Sequence, residues 1–288
     1  MKIFSGRVAF VTGGASGIGS GMVQNFLKLG MKVVIVDFNP RYLEEARTAF
    51  AGRKDVHLVQ ADVGDRDQVR KAADEAIRAF GKIHVLCNNA GIGGGGDTND
   101  PDFDAWDRAL RVNLGGVVNG TKIIAPLILS HGEGGHIVNT SSMAGLVPLP
   151  LPGLGAYQTA KFAVRGFTES LRMSLAPHGI GVSCLFPGGT RTRIIEASAR
   201  DEGARAAAKD MTASWMDPVE LGAFVVEGIR NNAPYILTHV EFRDELRELY
   251  QMLDVAFPRD QEVPPGRGRF EESRRAMVSQ TRALPVKD

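Results

Sequence analysis

The chain has 288 residues, 43% of them hydrophobic and 23% charged, and Lys+Arg 34 against Asp+Glu 33 leave a formal net charge of +1. That length can bury a large α/β core without a metal or disulfide staple, and the charge balance excludes the basic field of a nucleic-acid binder and the acidic tail that suits a basic partner. Cys87 and Cys184 each sit in a short apolar run without metal-knuckle spacing, so neither a disulfide framework nor a metal site is expected.

The N-terminus, MKIFSGRVAFVTGG, enters a glycine loop without an apolar leader, and no apolar stretch approaches membrane-spanning length. The expectation is a cytoplasmic protein with no membrane role. Short β-branched runs at 8–11, 32–36, 56–59, 83–87, 136–139, 181–186 and 235–237 are apolar on both faces, as strands covered by helices above and below must be. A helix is expected from Asp65, with Gln68 completing a capping box. It places Val69, Ala72, Ala73, Ala76, Ile77 and Phe80 on one face and closes at Gly81. Strand–helix alternation sustained this long implies an α/β fold: a doubly wound, mainly seven-stranded parallel sheet with helices on both faces.

Three stretches break the rhythm. Gly93-Gly94-Gly95-Gly96 reads as a flexible loop, and residues 190–216 as a polar, weakly patterned lid. From about Glu241 the alternation stops. Phe242, Leu246, Leu249, Leu253 and Phe257 mark one amphipathic helix, and Pro264-Pro265-Gly266 reads as a breaker before a tail that is either docked or loose. Residues 1–244 are expected to form the dinucleotide-binding and catalytic domain, with 245–288 a helical extension of it.

The first strand ends in Thr12-Gly13-Gly14-Ala15-Ser16-Gly17-Ile18-Gly19, followed at once by a helix. Glycines there permit a tight turn and let backbone N–H groups approach a pyrophosphate at a helix N-terminus. At the end of the second strand run stands Asp37, whose carboxylate can accept hydrogen bonds from adenosine ribose hydroxyls and would repel a 2′-phosphate. The reading is NAD in preference to NADP.

The spacing Gly13-x-x-x-Gly17-x-Gly19 behind Thr12 resembles the glycine signature of the short-chain dehydrogenase/reductase family, and the resemblance runs over roughly residues 5–240. Asp62-Val63 is similar to the family's adenine-contacting pair. Asn88-Asn89-Ala90-Gly91 is similar to its NNAG motif, and Pro187-Gly188-Gly189-Thr190-Arg191-Thr192 to its nicotinamide-side PGxxxT. The resemblance implies a Rossmann-type sheet and a cofactor site built from Gly13, Ser16, Gly17, Ile18, Gly19, Asp37, Asp62, Val63, Asn89, Ala90, Gly91, Pro187, Gly188, Thr190 and Thr192, together with Tyr157 and Lys161.

Tyr157-Gln158-Thr159-Ala160-Lys161 sets a phenol and an ammonium four residues apart on one helical face. A phenol that titrates near ~10 is a poor base at neutral pH, and a neighbouring cation together with an oxidised nicotinamide should lower it. By resemblance Tyr157 transfers the proton, and Lys161 bonds the nicotinamide ribose. Ser142, in a motif similar to the family's SSxxG, holds the substrate oxygen, with Ser141 as the fallback. Asn113 holds a water that links Lys161 to solvent in relatives. From Ser142 to Tyr157 the spacing is fifteen, about two residues longer than the family usually shows. The excess is expected in the Pro-punctuated stretch 148–154, which cannot be helical. If Ala144 stood in the usual serine position, Ser142 would lose its role.

Leu146, Val147, Leu149, Leu151, Leu154, Ile194, Ile195, Trp215 and Met216 make the expected substrate surroundings apolar, which favours a hydrophobic or aromatic secondary alcohol or ketone. Segments 215–222 and 238–244 resemble a bacterial subgroup that includes Cα-dehydrogenases of lignin-derived aryl ethers, implying a benzylic secondary alcohol. Two alternatives stay open: an NADP-dependent carbonyl or ketoacyl reductase, and a non-catalytic nicotinamide-sensing module. The resemblance further implies a homodimer or homotetramer assembled through the helices bearing Asn113 and Tyr157.

Overall fold

The computed structural model describes residues 1–194 and 202–287. Seven strands, β1 (Val8–Thr12), β2 (Lys32–Asp37), β3 (Val56–Gln60), β4 (Val85–Asn88), β5 (Gly135–Thr140), β6 (Ile180–Phe186) and β7 (Tyr235–Leu237), form one sheet in the order β3-β2-β1-β4-β5-β6-β7. Every pairing is parallel. The strand order reverses direction between β1 and β4, and at such a switch point the crossover helices diverge and leave a crevice at the carboxyl ends of the strands.

The helices are α1 (Gly17–Lys28), α2 (Pro40–Ala49), α3 (Arg66–Phe80), α4 (Phe103–Leu110), α5 (Gly116–Ser130), α6 (Gly155–Leu175), α7 (Glu202–Thr212), α8 (Pro218–Arg230), α9 (Arg243–Val255) and α10 (Pro265–Arg282). On one face of the sheet Met22 and Phe26 of α1 and Leu221 and Val225 of α8 bury Val11, Ile35, Cys87 and Leu185. On the other, Ala72, Ala73 and Ala76 of α3 and Ile124 and Ile128 of α5 bury Phe10, Val34, Leu86 and Ile137. Side chains of one strand thus enter two cores, which is why the strands read as continuous apolar runs. Each large side chain so buried stabilises the fold by roughly 1.5–3 kcal/mol.

Local chemistry sets the helix boundaries. The Asp65 carboxylate accepts from the amides of Asp67 at 2.9 Å and Gln68 at 3.2 Å. The capping box closes differently from expectation: Gln68 Oε1 takes the amide of Asp62 at 2.9 Å, and Gln68 Nε2 donates to Asp65 at 2.9 Å. Gly81 ends α3 with φ 82. Asn39 and Asp217 cap α2 and α8, each followed by proline, whose missing N–H costs nothing in a first turn.

The C-terminal part departs from the expected pattern. Pro264-Pro265 opens a helix instead of ending one, because Pro265 takes the first helical position of α10. Phe242, Leu246 and Leu249 pack against Met143, Leu146, Val147, Cys184 and Phe186 as an amphipathic helix requires. Leu253 and Phe257, expected on the same buried face, are 53% and 70% exposed. The tail is docked, with the Lys287 amide donating to the Gly179 carbonyl at 2.9 Å.

Two further features lie outside those expectations. The helical run Phe103–Ser130 is long and apolar enough to cross a membrane by length and composition, although no such stretch is expected from the sequence. Val117, Ile124 and Ile128 in this run are buried inside the fold. At the amino ends of the strands, His84, His131 and Glu133 bring three ligand-type atoms within 4.8 Å of one another. Their atoms are already engaged. His84 Nδ1 accepts the Val8 amide at 3.1 Å and its Nε2 meets Glu133 at 3.0 Å. His131 lies between the Ile83 carbonyl at 2.9 Å and the Glu133 amide at 3.2 Å. Arg7 and Lys82 also pair with Glu133, and two cations there oppose a third.

Candidate active site

The loop from β1 to α1 turns at Gly13, whose φ of 62 suits glycine and where a Cβ would come 2.9 Å from Ala90 Cα. Two strand ends are thereby pressed together, and Thr12 ties them. Its hydroxyl accepts the amides of Asn89 at 2.9 Å and Ala90 at 3.1 Å, and the Asn89 amide group donates to the Thr12 carbonyl at 3.1 Å. Asn88 bonds Thr121 at 3.0 Å and Asn139 at 2.8 Å. The side chains of the Asn-Asn pair therefore brace the β1–β4–β5 strand ends. Ser16 stands at the N-cap of α1 without capping it through its side chain, so the amides around Gly17, Ile18 and Gly19 are presented at a helix N-terminus without a side-chain cap. A dinucleotide pyrophosphate fits there: glycines that leave no side chain in the way, uncapped donors and the positive end of a helix.

Asp37 ends β2 and is 8% exposed. Its carboxylate accepts the Ala15 amide at 3.2 Å and the Asn39 amide at 3.0 Å. Burial pushes its pKa up, and these amides oppose that. Asp62 accepts the Gly64 amide at 2.8 Å and pairs with Arg111 at 2.8 Å. Val63 is buried beneath Gly116. On the far side of the crevice the segment after β6 crosses the glycine loop, where the methyl of Thr192 would lie 3.0 Å from a Cβ at Gly17. It continues to α2: Arg193 pairs with Glu45 at 2.7 Å and lies 4.5 Å from the Tyr42 ring centroid. No signal in the sequence reveals this strap, since nothing there pairs residue 193 with residue 45. Thr190 is buried and pairs with Met216.

Tyr157 and Lys161 share one face of α6, with the Lys161 Nζ 5.5 Å from the Tyr157 ring centroid and donating to the Thr140 carbonyl at 3.0 Å. The Ser142 hydroxyl accepts the Ala144 amide at 3.1 Å and acts on the Tyr157 phenol, pulling its pKa down. Ser141, the fallback, is committed elsewhere: its hydroxyl donates to the Lys161 carbonyl at 2.7 Å. Ala144 is fully buried in the next turn. Of the three positions, Ser142 is the one whose side chain acts on the phenol. Asn113 sits in a π-helical turn, Arg111–Gly115, between α4 and α5. Its amide exchanges two hydrogen bonds with the backbone of Ile92, both at 2.9 Å, and a Cβ on Gly91 would approach both Asn113 Oδ1 and Lys161 Nζ.

Burial pushes the Tyr157 phenol up and Ser142 pulls it down, so the protein groups alone hold it protonated at neutral pH. Burial lowers Lys161 to about 8. An unfolded lysine titrates near ~10.4, so between about pH 8 and ~10.4 the unfolded chain binds more protons and stability must rise with pH. Relative to Lys161→Met, which keeps Tyr157, the unaltered protein should gain on the order of 3 kcal/mol across that window. Urea midpoints of the two at a series of pH values check this, and parallel curves would show that Lys161 is not desolvated.

The stretch 148–154 is non-helical. That stretch is pinned at both ends. Gln158 accepts the Leu149 amide at 2.8 Å and donates to its carbonyl at 3.1 Å, and Asp97 accepts the Gly153 amide at 2.6 Å. Gln158 stands in the Tyr157–Lys161 motif, where the sequence alone assigns it no role. Within the glycine run before Asp97, Gly95 is packed, since a Cβ there would strike those of Ala109 and Ala156. Gln158→Ala should raise KM for the substrate by about tenfold, from two lost hydrogen bonds, and leave dinucleotide affinity unchanged. Steady-state kinetics with calorimetry would register both. Among the expected substrate neighbours, Leu146 and Val147 are core residues under α9, Leu151 is exposed, and Ile195 lies outside the described residues.

The model of the short chain dehydrogenase family matches residues 7–203. The chain belongs to this family, whose members are oxidoreductases working with NAD(H) or NADP(H) on small molecules. It is 32% identical to the Cα-dehydrogenase of Sphingobium sp., over 94% of this chain and 93% of that one. A short-chain dehydrogenase of Novosphingobium aromaticivorans superimposes with a TM-score of 0.85 at 36% identity, covering 99% of each chain. One from Burkholderia phymatum, solved in complex with NAD, gives 0.79 at 32% identity over 92% of this chain and 100% of that one.

Proposed function

We propose that the protein oxidises a hydrophobic, benzylic secondary alcohol to its ketone, or runs the reverse reaction, with NAD(H) as the hydride carrier. The observation that carries the reading is the placement of Tyr157 and Lys161 on one face of α6, with Lys161 Nζ 5.5 Å from the Tyr157 ring centroid and bonded to the Thr140 carbonyl at the end of β5, two residues before Ser142. Ser142 would hold the substrate oxygen and Tyr157 would take its proton. Lys161, fixed to the Thr140 carbonyl, would stabilise the phenolate and bond the nicotinamide ribose. Asn113 would hold the strand end beside Lys161 through Ile92. When bound, the nicotinamide supplies the hydride acceptor; the residues orient the alcohol and tune its proton. Gly13, Ser16, Gly17, Ile18 and Gly19 would hold the pyrophosphate. Asp62, Val63, Asn89, Ala90 and Gly91 would frame the adenosine side, and Pro187, Gly188, Thr190 and Thr192 the nicotinamide side. Asp37, a buried carboxylate at the ribose position, favours NAD over NADP.

The benzylic substrate rests on the likeness to the Sphingobium Cα-dehydrogenase along nearly the whole chain. A groove between α5 and α6, lined by Ala125, Leu129, Phe167 and Leu171, suits pairing with a second copy. Near-ultraviolet absorbance of NADH, followed with NAD or NADP and a panel of aromatic and aliphatic secondary alcohols, tests the reading. Turnover with NAD and benzylic alcohols is expected. Cofactor binding without turnover of any alcohol or ketone would favour a sensing module.

A further inference from the structure

The chain leaves β6 through Pro187, Gly188 and Gly189, and a side chain fifty residues on grips this turn. The Gly188 amide donates to His239 Nδ1 at 3.0 Å, and His239 Nε2 lies 3.0 Å from the Gly189 carbonyl. An amide must donate and a carbonyl must accept. Both contacts are therefore hydrogen bonds only for the neutral imidazole with its proton on Nε2. The Gly189 carbonyl also accepts the Met216 amide at 3.0 Å. Gly188 and Gly189 are glycines for a steric reason: a Cβ on the first would come 2.6 Å from the His239 ring, and one on the second 3.0 Å from the Trp215 ring. The turn is held between an imidazole and an indole. The Pro187 carbonyl then accepts the Met143 amide at 2.8 Å, one residue beyond Ser142, so the turn is bonded directly to the serine loop.

We propose that His239 is a positioning residue for the nicotinamide half of the cofactor. It acts through Gly188 and Gly189, setting the height of the turn against the Ser142 loop, and touches neither substrate nor cofactor. This role rests on the assignment of the crevice to NAD(H). It predicts that His239 matters for the nicotinamide end of the dinucleotide and not for the adenosine end, which binds along α1 and β2 on the other side of the switch point.

The test is calorimetric binding of NADH and of ADP-ribose, which lacks the nicotinamide, to the full-length chain and three variants. His239→Ala should weaken NADH by about tenfold or more, for two lost hydrogen bonds, while ADP-ribose affinity stays within about twofold. His239→Asn sets an amide oxygen near the Nδ1 position and keeps the Gly188 contact. His239→Gln extends an amide donor toward the Nε2 position and keeps the Gly189 contact. Each should recover part of the NADH loss, and these two milder variants carry the test if the alanine variant does not fold. An unchanged ratio of the two affinities in all folded variants overturns the proposal. So does a parallel loss of both ligands, which marks His239 as general fold support. If the unaltered protein binds neither ligand, the assignment of the crevice to NAD(H) falls and takes this inference with it.

Discussion

Tyr157→Phe is expected to lower kcat by about 10²–10⁴-fold, the range for loss of a positioned proton-transfer group, while NADH binds as before. The substitution removes one oxygen and leaves the ring where it packs. Lys161 keeps its hydrogen bond to the Thr140 carbonyl, and Ser142 keeps the Ala144 amide, so the rest of the site has no reason to move. The loss should also depend on direction and pH. Burial pushes the phenol pKa up, which suits reduction, where Tyr157 would give a proton. Oxidation needs the phenolate, and its rate should climb with pH while that of reduction does not. Rates in both directions from about pH 6 to about pH 10, spanning the ordinary tyrosine range, are the measurement, with NADH titrations of the variant. Near-normal turnover in the phenylalanine variant would remove Tyr157 from the reaction.

The second large effect concerns cofactor choice. Asp37→Ala should lower kcat/KM with NAD by roughly 10–100-fold, the loss of a charged hydrogen-bond acceptor, and narrow the ratio of NAD to NADP. Asp37 also receives the Ala15 and Asn39 amides, so the alanine variant also removes a brace from the glycine loop. Asp37→Asn separates the two roles, since its carbonyl oxygen can still accept one amide while the charge that repels a 2′-phosphate is gone. Relief of NADP discrimination in both variants supports a charge at the ribose. Relief in neither would leave Asp37 a loop-bracing residue.

Much of this architecture is legible in the residues, for reasons that differ along the chain. Strands such as 32–36 declare themselves because both faces are buried, so no polar residue interrupts Val33-Val34-Ile35-Val36. The α3 face is readable because Val69, Ala72, Ala73 and Ala76 meet the sheet at helical spacing. Ser142 and Tyr157 are readable as a pair because the motifs carrying them fall at strand and helix ends. What stays hidden depends on long-range geometry. Arg193 with Glu45, and Gln158 with Leu149, are contacts that no periodicity encodes. Leu146 and Val147 resemble pocket lining in the sequence, whereas α9 covers them in the fold. Pro265 reads as a breaker because proline stops a helix from within, yet at the first position it starts one.

The π turn at Arg111–Gly115 has a consequence of phase. One extra residue in a turn rotates the helix before it by about 100° relative to the helix after it. Removing Leu114 would regularise the helix and, counted as an isolated helix, improve it. The same deletion would swing Asn113 round the barrel of the helix, away from the Ile92 backbone that both of its amide atoms now bond. The irregular turn acts as an indexing notch: it lets α4 face one set of neighbours and α5 another, with Asn113 as the tooth between them.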